Sequence, residues 1–277
     1  MKRGKMYVLG LTGILLIMLA PVSAFAETQG SEAVSREALM KKVLGLQVPF
    51  IENRGQVRDG SVKFYANTFA GTVYVTDKGE MVYNLRKAEP VTRGEGRQAA
   101  LRAVAIRESL QGARQGVIKG VERSVTRANY FIGGRDRWRT DIPTWREVSL
   151  GKVYRGIELR LKAYGSNVEK LFTVYPGGDV SDIKLKAEGA KGIKINRAGE
   201  LEIETALGTV KMTRPVAYQE INGGRVQVAA NYVLPETGRL TYGFQVGEYD
   251  KTKPLVIDPL LASTFVGGSV IMPMLLQ

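Results

Sequence analysis

The 277-residue chain contains no cysteine and no histidine. The first absence rules out a disulfide framework, so stability has to come from core burial. The second removes Ser-His-Asp and Cys-His catalysis, histidine-ligated zinc and the usual acid/base group near neutral pH. Of the common enzyme classes, a carboxylate-pair hydrolase or a Ser-Lys enzyme survives this filter. No Ser-x-x-Lys pattern, phosphate-cradling glycine loop, dinucleotide-binding fingerprint or zinc knuckle is present. Tryptophan is scarce as well, with two in the chain.

One long apolar run stands at the start. Lys2, Arg3 and Lys5 precede the apolar stretch Val8 to Ala20, which Pro21 breaks, and Ala24-Phe25-Ala26 supplies a small-x-small pattern. This predicts a secretory signal peptide over 1–26, cleaved after Ala26. A retained anchor needs about 20 apolar residues, and no later segment is long enough to span a bilayer. The expected location is outside the cytoplasm: extracellular, cell surface or periplasmic. The chain carries 40 Lys+Arg against 27 Asp+Glu and stays basic without the leader. Net charge bears on encounter and solubility, not on fold, so an acidic partner is compatible with it but not required by it.

Residues 27–46 read as a polar leader with a short helix from Ser35 to about Leu44. From residue 47 to 260 the period changes to two. "VKFYANTF" (Val62 to Phe69), "TVYVT" (Thr72 to Thr76), "MVYNLR" (Met81 to Arg86) and "LRAVAIRE" (Leu101 to Glu108) read as strands, and Gly79 marks a turn. Lys87 to Ala99 is rich in proline, glycine and charge, and reads as a loop. "VYRGIELRLKAY" (Val153 to Tyr164), "VEKLFTVYP" (Val168 to Pro176) and "GIKINRAGELEIET" (Gly192 to Thr205) continue the pattern, as do the strands beyond. Strands at intervals of about 8–12 residues with little helix predict an all-β fold. The expectation is an antiparallel β-sandwich-like domain or two packed β subdomains, with a subdivision near residue 130 left open. Residues 261–277 read as a linker.

Three constellations carry polar chemistry. Glu200, Glu202 and Glu204 share one face of a strand, which suits a solvated sheet face better than a cation or acid/base site. In "GGRDRWRTDIPTW", Arg135, Arg137 and Arg139 alternate around Asp136 and Trp138, with Asp141 and Trp145 following. An array of arginines with a tryptophan can take up phosphates or acidic sugars. The same residues also fit packed tryptophans with arginines held by Asp136 and Asp141. In "PFIENRGQV", Gly55 suits a turn that Glu52, Asn53, Arg54 and Gln56 cross-link. That group lacks a dedicated proton carrier and reads as structural. No catalytic, cofactor or metal residues are assigned.

Taken in order, "FIENRGQV", "ANYFIGGRDRWRTDIPTWREV", "KVYRGIEL", "VYPGGDVSDIKLKAEGA", "TRPVAYQEING" and "YGFQVGEYDKTKPLVIDPLLASTFVGG" resemble a family. It is the N-terminal domain of unknown function that precedes SBBP-type β-propeller repeats in bacterial secreted and cell-surface proteins. The resemblance covers about Leu46 to Gly268 and implies a non-catalytic extracellular module. In that family "STFVGGS" opens the first repeat, whereas here Ser269 is followed by "VIMPMLLQ". The expectation is a chain truncated or frameshifted just inside its first repeat. Arg155, Lys184, Lys186, Lys191 and Lys194 make it more basic than the resemblance implies. The functional expectation is an interaction module for a cell-surface polymer or protein, with an acidic polysaccharide as the second reading and a carboxylate-pair glycosidase as the third. No nucleic acid partner is expected.

Overall fold

The computed structural model describes residues 45–93, 96–165, 167–235 and 240–262. The expected signal peptide, the leader helix and the tail from residue 263 lie outside the described residues. All described residues belong to one compact unit.

The first strands are β1 (Gln47–Val48), β2 (Phe50–Glu52), β3 (Val62–Thr68), β4 (Gly71–Thr76), β5 (Met81–Arg93), β6 (Gly96–Leu110), β7 (Lys119–Tyr130) and β8 (Arg139–Tyr154). Next come β9 (Ile157–Tyr164), β10 (Asn167–Val174), β11 (Lys184–Glu188), β12 (Gly192–Ile195), β13 (Leu201–Thr205) and β14 (Gly208–Met212). The last are β15 (Val216–Ile221), β16 (Gly224–Val228), β17 (Ala230–Val233), β18 (Thr241–Val246), β19 (Leu255–Asp258) and β20 (Leu260–Ala262). Two short 3-10 turns, Arg135–Arg137 and Val180–Asp182, interrupt them.

Every pairing is antiparallel. Two arms leave a corner made by β1 and β2. β1 pairs with β9 while β2 pairs with β8 and β3. One arm runs β2-β3-β4-β5-β6-β11-β18-β17. The other runs β7-β8-β9-β10 and then forks through β19 to β15 and β16, and through β20 to β14, β13 and β12. The result is an antiparallel all-β fold with a large and a smaller sheet packed together, as the period of two predicts.

Strands β9 and β10 show why. Their residues alternate strictly between buried and half-buried, so Ile157, Leu159, Leu161 and Ala163 face inward beside Val168, Phe172 and Val174. They join Phe64, Met81, Ile106 and Leu185 from the first arm, and Leu201, Val210 and Ile257 from the second, in one apolar cluster. Burying such side chains contributes roughly 1.5–3 kcal/mol each.

Two expectations change. Lys87 to Ala99, read as a loop, extends the β5–β6 hairpin, whose register runs on through Pro90↔Ala99 to Arg93↔Gly96. Beyond Leu85, β5 has β6 as its strand partner, not β4. An edge strand tolerates proline, and the proline, glycine and charge of this stretch leave no alternation to read in the sequence. "VYRGIELRLKAY" is likewise not one strand, because Arg155-Gly156 turns the chain between the paired strands β8 and β9.

The inward row of β10 contains a charge. Lys170 is fully buried, as are Glu108 of β6 and Tyr242 of β18. Its ammonium donates to Glu108 Oε2 at 2.8 Å and Oε1 at 3.0 Å, and to Tyr242 Oη at 2.8 Å, while Tyr242 donates to the same carboxylate. Met212 Sδ lies 3.5 Å from Nζ. Burial holds the Lys170 ammonium below its ordinary pKa against the pull of Glu108, and pushes the Tyr242 and Tyr83 hydroxyls well up. Tyr83 Oη, buried beside this group, also feels the Glu108 charge.

Lys170→Met should strand the Glu108 carboxylate in the core and cost about 3–5 kcal/mol in urea unfolding. Lys170→Met combined with Glu108→Gln should recover a large part of that loss, because no charge stays buried. Equal losses in the single and double variants would contradict this account of the pair.

Candidate functional site

The stretch after β2 folds into a hydrogen-bonded turn. Asn53 Nδ2 donates to the carbonyls of Val57 (3.2 Å) and Val62 (2.9 Å), and Oδ1 accepts from the amides of Gly55 and Val57, both at 3.1 Å. Gln56 Nε2 donates to Glu52 O at 2.7 Å, and its Oε1 accepts from Arg54 N at 2.8 Å. The Arg54 guanidinium pairs with Glu52 at 3.2 Å. Gly55 has φ +99°, and a Cβ there would meet the Arg139 guanidinium at 3.4 Å. A side chain at this position would therefore be strained by the backbone while making ordinary contact with Arg139.

Arg139 brings the turn and the arginine-rich stretch together. Its Nε donates to Arg54 O at 3.1 Å, and its Nη1 to the carbonyls of Asp136 and Trp138, both at 2.9 Å. Nearby, Tyr65 Oη donates to Tyr130 Oη at 2.7 Å and accepts from Gln56 Nε2 at 3.2 Å. The end of the β7–β8 hairpin is thus braced against the turn after β2.

The arginines do not form the extended row that their spacing suggests. Arg135–Arg137 is a 3-10 turn, and Arg139 opens β8. Asp136 holds Arg139 through its carbonyl and not its carboxylate, and Asp141 lies 3.5 Å from Arg127. Arg135 lies over the Trp138 ring at 5.5 Å, and Arg137 packs beside Gly133. Among the described residues, neither Arg135 nor Arg137 has a carboxylate within ion-pair distance.

The two tryptophans diverge. Trp145 is half-buried against Gly120, where a Cβ would fall 2.1 Å from its ring, and its Nε1 points to Glu52 at 3.4 Å. Trp138 is 39% exposed and stands edge-on to Phe131 at 5.1 Å, its Nε1 donating to Gly133 O at 3.3 Å. Phe131 and Ile132 beside it are 61% and 69% exposed. The hairpin end is a fixed knob of apolar side chains with cations around it.

The Glu200-Glu202-Glu204 row is a lysine-neutralised strand face. Lys211 pairs with Glu200 and Glu202, Lys194 pairs with Glu202 and Glu204, and Asn196 donates to Glu200 and Glu202. The Asn196 hydrogen bond, with the lysines behind it, holds both Glu200 and Glu202 below the usual carboxylate range. That favours permanent ionisation, not proton exchange.

Sequence reading passed over a second carboxylate group, on β8, β9, β10 and β19. Burial, then the Asp258 charge, holds Glu169 above its usual range, and burial raises Asp258 as well. Asp258 Oδ1 and Asn167 Oδ1 are buried without hydrogen-bond partners. Lys162, bonded to Glu147 at 2.9 Å, supplies a counter-charge to both. The signal lay in the register, because β9 pairs Lys162 with both Glu147 and Glu169. No group of three or more acidic or other ligating residues able to hold a metal ion occurs among the described residues, nor does a helix long and apolar enough to cross a membrane.

The family described as a domain of unknown function, DUF7948, matches residues 50–260. No curated protein and no solved structure matches the chain.

Asn53→Ala should destabilise the fold by about 1–3 kcal/mol, since it leaves turn amides and carbonyls unpaired; an unchanged unfolding midpoint would deny Asn53 that role. Glu169→Gln is a pH test. With its folded pKa raised, Glu169 makes the native state bind the extra proton, so its contribution to stability falls as pH rises through that window. The variant should therefore gain on the wild type as pH rises above the usual carboxylate range, and a constant difference would contradict the raised Glu169.

Proposed function

The chain belongs to the DUF7948 family, and on that premise we propose that it is an exported, non-catalytic interaction module. It meets an anionic partner at the cell surface or in the periplasm through the β7–β8 hairpin end. The observation that carries this reading is the exposure of Phe131, Ile132 and Trp138 beside two arginines that no carboxylate engages among the described residues. Cations left unpaired on a braced loop attract phosphate, sulfate or carboxylate groups, and apolar surface kept in water favours contact with a partner. Fixing the loop beforehand lowers the entropy lost on binding. The export reading rests on Lys2 to Ala26 of the sequence.

The chemistry of the acidic side chains supports a binding role over turnover. The glutamate row on β13 is neutralised by lysines. The raised pair Glu169 and Asp258 is the specific observation that keeps a carboxylate-pair hydrolase as a second reading. That reading requires a substrate groove over β10 and β19 and carboxylates about 5–10 Å apart. An acidic polysaccharide is one anionic partner that the arginine–tryptophan end suits.

The test is co-sedimentation of the purified chain with cell envelopes isolated from the producing cells. Binding should weaken as salt rises, with screening of the arginines, and Arg135→Ala combined with Arg137→Ala should weaken it about tenfold. Arg139 is left intact, because it braces the turn. Binding unchanged in the double variant would overturn the assignment of this end.

A further inference from the structure

We propose that the β7–β8 hairpin end enters an anionic lipid surface, with Phe131, Ile132 and Trp138 in the headgroup layer and Arg135 and Arg137 against the phosphates. This rests on the reading of that end as the contact surface, and it names the partner.

Ring geometry argues for lipid over sugar. A sugar ring stacks on an open, flat aromatic face. Here Arg135 lies over the Trp138 ring and Phe131 abuts it at an interplanar angle of 87°, so the two rings form a wedge and not a platform. Ile132, at 69% exposed, has no face to offer a sugar. The headgroup and acyl boundary of a bilayer accepts such a group, because aromatic rings and aliphatic side chains sit there with their polar tips wet. The Trp138 Nε1 already donates to Gly133 O and needs no further partner when the ring leaves water.

Charge then selects the kind of bilayer. Among the described residues Arg135 and Arg137 lack carboxylate partners, and Asp136 is the one acidic residue between Phe131 and Arg139. Each basic residue at an anionic surface adds to the attraction, which salt screens. The same excess argues against a second copy of the chain, whose matching end would bring arginines against arginines. The wedge also arrives preformed, held by Arg139 to Arg54 O and by Tyr65 to Tyr130.

Vesicles test this directly. The purified chain is mixed with phosphatidylcholine vesicles with and without phosphatidylglycerol, floated, and probed by quenching from brominated acyl chains. Wild-type chain should float with the anionic vesicles, release in high salt, and show quenched tryptophan emission. Trp138→Phe should still float but lose the quenching, since Trp145 is packed on Gly120. Phe131→Ser with Ile132→Ser should cut flotation about tenfold at an unchanged urea midpoint, because both side chains are exposed. Quenching that persists in Trp138→Phe, or flotation that survives the serine pair, would overturn the proposal. Binding to polygalacturonate with none to vesicles would overturn the lipid assignment while leaving the contact surface intact. Failure on vesicles and envelopes alike would remove both.

Discussion

A lysine and a glutamate that no water reaches govern how the two arms of this protein meet. Lys170 reaches from β10 in one arm to Glu108 on β6 in the other, and Tyr242 on β18 closes the triangle. A charge in a dry core is tolerated when it is paired and hydrogen-bonded, and an unpaired one costs several kcal/mol. Sliding either strand by one residue would put Lys170 or Glu108 on the opposite face and leave its partner stranded. The triad therefore reinforces the one register that the alternating apolar rows of β9 and β10 already favour. With no cysteine in the chain, no disulfide shares that task.

The rest of the surface follows from the register so fixed. Alternation turns Glu202 outward beside the lysines of its neighbouring strands, while Leu201 and Ile203 turn inward. At the β1–β2 corner the chain leaves the sheet, and Asn53 ties the following turn to Val57 and Val62. That turn offers the Arg54 carbonyl to Arg139, which brings the end of the β7–β8 hairpin to rest against it. A rigid β scaffold thus carries a short, exposed, apolar and basic end, the usual division of labour between a sheet and the loop it positions.

Much of this was legible from residue order alone. Strict alternation in "IELRLKAY" and "VEKLFTV" gives the strands, and their turn gives the hairpin. The buried pair was legible in principle, since Lys170 falls in phase with Val168, Phe172 and Val174, and Glu108 in phase with Ile106. Partnership was not, because β6 and β10 lie far apart in sequence and meet through β11, β18 and the packing of the arms. The β5–β6 ribbon stayed hidden because Lys87 to Ala99, rich in proline, glycine and charge, shows no period of two in the sequence. Spacing of two suggested an extended arginine row, but the 3-10 turn at Arg135–Arg137 spends those residues differently. Nothing in the sequence separates the two tryptophans. What distinguishes them is Gly120, which gives Trp145 a flat backbone to rest on and leaves Trp138 in solvent.

Hydroxyl-radical footprinting of the intact chain, free and bound to isolated cell envelopes, tests most directly the claim that this protein works through one braced end. The account predicts protection of Phe131 and Trp138, with the exposed Val226 on β16 left as reactive as in the free chain. Protection centred on β16, or on Glu169 and Asp258, with Phe131 and Trp138 still fully reactive, would contradict it.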